Sequence, residues 1–375
     1  MKGVMHMVKA SLPPQDIHTD LWKMLSSTDR PILLYGMGNG ADKLIARLEG
    51  MGKSVSDVFA SDGFVRGQHF HGKRVLTYSE AIEKYKNPII LVCFGTALPD
   101  VLGAVFQIEE QQELYIPDMP IAGDAYFTAE FYQEHYEEIK RACDLLEDDG
   151  SKELYASLLW YKLTGEACFL RDAVLTGDER ELLRYGSMTC AVDIGAYRGD
   201  TLGEMLAHAL QLKTVLAIEP DVKNFKKLSA YASTVVGKEI LLFHAAAWHE
   251  HQHLAFAASG NRNATLDEKK AGTASFEHNT DTVECVKIDD ITRGRNVNYI
   301  KYDTEGAEMA ALEGSKEMIF QSSPSMRISA YHRSEDLFSL LLWLDATAGN
   351  RYTYHLRRRL SIPAWDIELI AVPKK

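Results

Sequence analysis

From residue 190 onward the chain alternates short apolar runs with amphipathic stretches, and no other feature restricts its fold as much. Runs rich in Val, Ile, Leu and Tyr read as strands at "CAVDIG" (190–195), "TVLAIEP" (214–220), "EILLFHAAA" (239–247), "NYIKYD" (298–303), "SMRISAYH" (325–332), "YTYHLR" (352–357) and "IELIAVP" (367–373). Between them, helical spacing of apolar residues predicts helices at 200–210, 221–234, 306–320 and 335–348. Strands that alternate with helices build largely parallel sheets covered on both faces, so the expected fold class is α/β.

A shorter alternation precedes this one. "PILLYG", "SVSDVFASD" and "NPIILVCFG" read as strands and "ADKLIARLEGMG" as a helix, whereas residues 126–189 carry helical patterns only. At 375 residues the chain is long for one hydrophobic core. The expected division is an N-terminal Rossmann-like α/β domain over 1–125, a helical connector over 126–189 packed between the two sheets, and a second domain over 190–375. The polar, glycine-bearing stretch 248–282 is expected to form strand fragments and a mobile loop.

Composition excludes several function classes. A formal charge of −12 without a basic stripe argues against nucleic-acid partners. No apolar run approaches the roughly 18 residues of a membrane span. The first residues, "MKGVMHMVKASLPPQD", lack the apolar core and cleavage site of a secretory signal, so a cytoplasmic location is expected. Cys93, Cys143, Cys168, Cys190 and Cys285 show neither CxxC pairing nor zinc-ligand spacing and read as reduced, mostly buried thiols.

The stretch "AVDIGAYRGDT" (191–201) joins a strand to a helix start. Gly195 and Gly199 let the backbone turn tightly and approach a ligand, and the helix that follows offers unsatisfied N–H groups. Asp193 ends the strand, and Glu219 ends the next, where a carboxylate can accept from both hydroxyls of a ribose. The spacing is DxGAxxGD rather than GxGxxG, and Asp200 stands where a pyrophosphate would sit. An adenosine-bearing cation therefore suits this turn better than a dinucleotide.

These segments resemble the FkbM-type methyltransferases, a branch of the S-adenosylmethionine-dependent enzymes. The resemblance covers about 190–372 and rests on "VDIGAYRGDT", "AIEPDVKNF", "HAAAW", "VKIDDI" and above all "YIKYDTEGAEMAALEG". It implies a seven-stranded sheet of order 3-2-1-4-5-7-6 with strand 7 antiparallel. It also implies S-adenosylmethionine as cofactor, held by Asp193, Gly195, Ala196, Tyr197, Gly199, Asp200, Thr201, Glu219, Pro220, Ala246, Ala247 and Asp303. Three places depart from the family pattern: Tyr197 replaces a small polar residue, Tyr302 replaces an aliphatic one, and "AYHR" follows strand 5 without an acid.

Ligands of open α/β sheets sit outside the carboxyl ends of the strands. That rule adds Asp303, Glu305 and His332 as candidate catalytic groups, with His332 suited by its intrinsic pKa to take a proton from an attacking hydroxyl. Asp303, Glu305 and Glu308 bring three carboxylates into six residues. A divalent cation such as Mg²⁺ held with water is the alternative to helix-terminus complementation by Glu305, and the latter is favoured, so no metal ligand is assigned. The "RRR" at 357–359 is expected on the cofactor side, where it would favour an anionic or sugar-phosphate acceptor. "HEHQH" (249–253) reads as a polar edge strand rather than a metal site.

In the N-terminal half, Gly36, Gly38 and Ala41 satisfy GxGxxA after a strand, with Asp62 closing the next. The following "FVRGQHFHGKRVLTYSEAI" resembles the nucleotide-sugar-binding half of bacterial sugar acyltransferases. A positioning role, including contact with a second subunit in an oligomer, ranks ahead of ligand binding there. The expected function is S-adenosylmethionine-dependent O-methylation of a sugar, nucleotide-sugar or other hydroxylated metabolite. The alternatives are an NAD(P)-binding oxidoreductase-like protein and a non-catalytic nucleotide-sugar-binding protein.

Overall fold

The computed structural model describes residues 11–256 and 281–374. The opening of the first residues read for a signal, and most of the stretch expected as a mobile loop, lie outside these. Two sheets organise the rest. The first is all parallel and four-stranded: β1 (Ile32–Tyr35), β2 (Asp57–Phe59), β3 (Ile89–Val92) and β4 (Glu113–Tyr115), in the order β2-β1-β3-β4. β1 and β3 are buried along their whole length, as their unbroken apolar runs require.

The second sheet has seven strands: β5 (Cys190–Ile194), β6 (Thr214–Ile218), β7 (Glu239–Phe243), β8 (Tyr299–Tyr302), β9 (Ser325–Ser329), β10 (Tyr352–Arg358) and β11 (Ile367–Pro373). Their order is β10-β11-β9-β8-β5-β6-β7, with β11 antiparallel to both of its neighbours. β5 and β8 lie side by side at the centre, so the loops after them share one end of the sheet.

The helix Asp149–Thr164 ties the sheets together. Its capping residue Asp148 accepts from the Ser151 backbone N–H at 2.7 Å, while Ser151 Oγ accepts from Leu356 N in β10 at 2.9 Å. At its other end the Gly165 carbonyl accepts from Ile116 N, just past β4, at 2.7 Å. One continuous core cluster runs from Leu33 and Phe59 through Tyr155 and Leu158 to Ile194, Ile300 and Ile328.

Several local expectations are corrected. The stretch 306–320 is two helices, Glu308–Glu313 and Lys316–Ser322, and Gly314 between them packs against the Trp248 carbonyl so closely that a Cβ there would stand 2.0 Å from its oxygen. The run 239–247 breaks after Phe243. Its last residues, Ala246–Ala247, pair instead with Asp281–Val286, which also takes Gln252–Phe256 as an antiparallel neighbour. Asp62 does not close β2; the strand ends at Phe59 and Asp62 opens an exposed 3₁₀ turn. Among the described residues no helix is long and apolar enough to cross a membrane.

Candidate functional site

A cavity of about 400 Å³ opens at the carboxyl ends of the central strands. Gly195, Tyr197, Asp200 and Thr201 line it from the turn after β5, Glu219 and Pro220 from the turn after β6, and Ala246 and Ala247 beyond β7. Asp303 and Glu305, after β8, form the opposite wall. Asp193, Ala196, Gly199 and His332 do not border it; they stand behind these walls.

The glycine turn is dictated by contact as much as by conformation. Gly195 has φ 73°, and a Cβ there would lie 1.8 Å from the Asp303 carbonyl oxygen. Gly199, at φ 94°, is pressed on the Tyr231 ring, 2.6 Å from where its Cβ would be. Between them Tyr197 holds a left-handed φ of 49°, uncommon for a residue of its size. That conformation aims its N–H at Glu219 Oε2, 2.8 Å away.

Glu219 is buried and accepts a second backbone bond at Oε1, from Asp221 N at 2.9 Å. Burial pushes its pKa up to about 7 in spite of these two donors. Each oxygen keeps a lone pair for a ligand. Asp193 has a different environment from the one its place in the sequence suggests. The parallel register sets it opposite Lys301, and both side chains are taken into the sheet, with Lys301 Nζ 3.7 Å from Asp193 Oδ1. Burial pushes Asp193 up to about 6, and neither carboxylate oxygen has a hydrogen-bond partner among the described residues.

Lys301 also reaches Asp303 Oδ2 at 3.3 Å and donates to the Gly195 carbonyl at 3.2 Å, so it links the two loops that shape the cavity. Asp303 Oδ1 accepts from Ser329 Oγ at 2.9 Å. Burial opposes ionisation of Asp303, but Lys301 and His332 outweigh it and hold its pKa below the usual value.

His332 is fully buried. Its Nδ1 lies 2.9 Å from Glu308 Oε1, and Glu308 is itself held by Thr304 N at 2.7 Å and Gly306 N at 3.1 Å. Burial disfavours the charged imidazolium, yet the carboxylates of Glu308, Asp303 and Glu305 outweigh it and raise the pKa well above its ordinary value. A side chain that is out of the cavity and holds its proton does not suit the general-base role expected of it. The His332 carbonyl accepts from Ile121 N and Ala122 N at 3.0 and 2.9 Å, which brings the N-terminal half to the back of this wall.

The arginine triplet divides. Arg357 pairs with Asp178 at 2.6 Å and Arg358 donates to the carbonyls of Leu170, Ala173 and Ser361, so both anchor the connector segment. Only Arg359 reaches the cavity. Arg359 lies past the end of the strand, and the sequence alone does not show that the connector covers the two residues before it. Of the "HEHQH" stretch, His251 pairs with Asp290 at 2.9 Å and the strand starts at Gln252. The cysteines are free; Cys93 and Cys285 are buried and the other three partly so.

Sequence reasoning missed Lys301, Arg327, Tyr331 and Glu368 of the lining. The signal for Lys301 was present, because a residue two before Asp303 on a strand shares its face.

A seven-stranded sheet with an acid-flanked glycine turn at the carboxyl end of its central strand defines a methyltransferase-type α/β protein. Residues 193–356 match the methyltransferase FkbM domain, a domain of enzymes that transfer methyl groups. The crystal structure of methyltransferase FkbM from Methylobacillus flagellatus KT has the same fold over nearly the whole length. Its TM-score is 0.70 at 20% identity, covering 97% of this chain and 94% of that one. An rRNA methylase from Streptococcus thermophilus covers 52% of this chain and 93% of its own at 14% identity, with a TM-score of 0.33. Precorrin-6y C5,15-methyltransferase from Geobacter metallireducens GS-15 covers 52% and 84% at 11% identity, with a TM-score of 0.31. No curated protein matches the sequence.

Proposed function

We propose that the protein transfers a methyl group from S-adenosylmethionine to a hydroxyl oxygen of a small hydroxylated metabolite, a sugar being the leading class. The observation that carries this reading is the charge of the cavity beside its glycine turn. Its lining holds Asp200, Glu204, Glu219, Asp221, Asp303, Glu305, Asp366 and Glu368 against only Lys301, Arg327 and Arg359. An excess of carboxylates favours a cationic sulfonium and disfavours a pyrophosphate.

The chain's own residues fit such a donor. Glu219, braced by two backbone N–H groups, is set to accept from a ribose diol, and the bare backbone at Gly195 leaves room for close approach. Asp193 acts through Lys301 rather than by touching the donor. The donor supplies an electrophilic methyl on a positively charged sulfur, so the protein has to align the acceptor oxygen and handle its proton. Asp303 and Glu305 are the carboxylates on the wall facing that space and are assigned to orient the hydroxyl.

The test is a thermal-shift series with S-adenosylmethionine, S-adenosylhomocysteine and NAD, followed by detection of S-adenosylhomocysteine formed with candidate acceptors. Stabilisation by the first two and not by NAD is expected. Stabilisation by NAD alone favours the oxidoreductase-like alternative and overturns the proposal.

A further inference from the structure

His332 Nε2 faces Asp303 Oδ1 at 3.8 Å and Glu305 Oε2 at 3.5 Å. It is buried and has no hydrogen-bond partner among the described residues. An N–H donor needs its acceptor within about 3.2 Å, so these separations leave the nitrogen unserved by either carboxylate. Atoms bound about 2.1 Å from one common ion stand roughly 3 to 3.4 Å apart, so a small closure brings His332 Nε2 and each of these two oxygens to that spacing. One ligand atom from each of Asp303, Glu308 and His332 also falls within 4.8 Å of the others.

We propose that His332 Nε2, Asp303 Oδ1 and Glu305 Oε2 form a three-ligand site for a divalent transition-metal cation, with Glu308 as the residue that orients the imidazole. Three nearby acids alone do not make such a site; the buried imidazole nitrogen aimed between two of them does. Glu308 holds Nδ1 at 2.9 Å and is fixed by two backbone N–H groups. That arrangement keeps a proton on Nδ1, so a cation that binds Nε2 displaces the other imidazolium proton and leaves the carboxylate–histidine–metal pattern of outer-sphere support. An imidazole with two carboxylates selects Mn²⁺, Fe²⁺, Co²⁺ or Zn²⁺ over Mg²⁺ or Ca²⁺. Asp303 and Glu305 line the cavity, so further coordination positions face the space assigned to the acceptor. The Lys301 ammonium, 3.3 Å from Asp303 Oδ2, limits the affinity by repulsion. The site does not depend on the methyl-donor reading.

The test uses the full-length protein, freed of metal by chelator dialysis and titrated with Co²⁺ in the absence of any methyl donor. One equivalent is expected to bind with a visible absorption band. His332→Gln is expected to abolish the band, Glu305→Gln to weaken binding at least tenfold, and Glu308→Gln to weaken it by about 10- to 100-fold. If His332→Gln fails to fold, Glu305→Gln decides, because its side chain is partly exposed at 23%. Absence of binding by the unaltered protein, or binding unchanged in Glu305→Gln, overturns the proposal. Because no methyl donor is present, this failure is distinct from failure of the proposed methyl transfer.

Discussion

The turn at 195–199 and the turn at 36–41 obey the same local rule: each follows a buried strand with parallel neighbours, carries glycines at positive φ and leads into a helix. Their surroundings differ. At Gly36 the Phe94 ring stands 2.6 Å from where a Cβ would be, and Tyr35 stacks on Phe59 at 4.7 Å, so aromatic rings pack against the turn. At Gly195 the neighbour is a backbone carbonyl, and the turn borders a cavity. The acid after the second strand differs as well: Glu219 is buried and braced, whereas Asp62 is exposed on a 3₁₀ turn. Glycine spacing reports the backbone path, and what differs between the two turns is the burial and bracing of the acid after the second strand.

The largest expected effect comes from filling the space at Gly195. Gly195→Ala forces a methyl group to within 1.8 Å of a carbonyl oxygen that cannot move without shifting β8, and it does so at φ 73°. A loss on the order of 4 kcal/mol in unfolding free energy is expected, measured by urea denaturation. A change below about 1 kcal/mol would mean that β5 and β8 are not held so tightly.

pH sharpens the comparison next. Asp193 and Glu219 have folded pKa values raised to about 6 and about 7 by burial, from ordinary values of 3.8 and 4.5. The folded state therefore binds more protons than the unfolded one between roughly pH 4 and 7, and stability falls as pH rises through that window. Asp303 and Glu308 are shifted downward, so what they contribute is lost only on acidification below the ordinary carboxylate range. For the ligand-free protein, Tm is expected to drop from pH 5 to pH 7.5, each raised carboxyl accounting for about 2 to 3 kcal/mol. Asp193→Asn should flatten part of that slope. A Tm that climbs over the same range sinks the assignment of buried, reluctantly ionised carboxyls to this wall.

Donor affinity then separates the two acids directly. Glu219→Ala removes a charge-assisted acceptor worth about 1.5 to 3 kcal/mol, so S-adenosylmethionine should bind roughly ten- to a hundredfold more weakly by calorimetry. Asp62→Ala, the formally equivalent change in the other sheet, should leave that affinity unaltered. Equal losses in both variants would erase the distinction between the turns.

Much of this was legible because it is local. Apolar runs and helical spacing located the strands of the central sheet, and the acids ending β6 and β8 are read off neighbouring residues. What escaped depends on register and on layers that come from afar. The pairing of Asp193 with Lys301 needs the alignment of β5 with β8, which are separated by more than a hundred residues. The environment of His332 is set by Glu308, 24 residues earlier, and by the backbone of Ile121 and Ala122. Arg358, expected with its neighbours on the cofactor side, is buried because connector carbonyls from Leu170 and Ala173 come to it.

The smallest expected effect belongs to Gly38, and it isolates conformation from contact. Its φ is 96°, but nothing lies within 4 Å of a Cβ built there. Gly38→Ala therefore meets only the backbone preference against φ 96° with ψ −159°, a region essentially confined to glycine, at about 1 to 3 kcal/mol, with no displaced neighbour. Set beside Gly195→Ala, it separates the two costs on equivalent turns. The same variant should keep S-adenosylmethionine affinity within twofold, because the strain stays in the first sheet and the cavity is lined from the second. A loss of donor binding in Gly38→Ala without global unfolding would show instead that the N-terminal turn shapes the donor site, through the contact of Ile121 and Ala122 with His332.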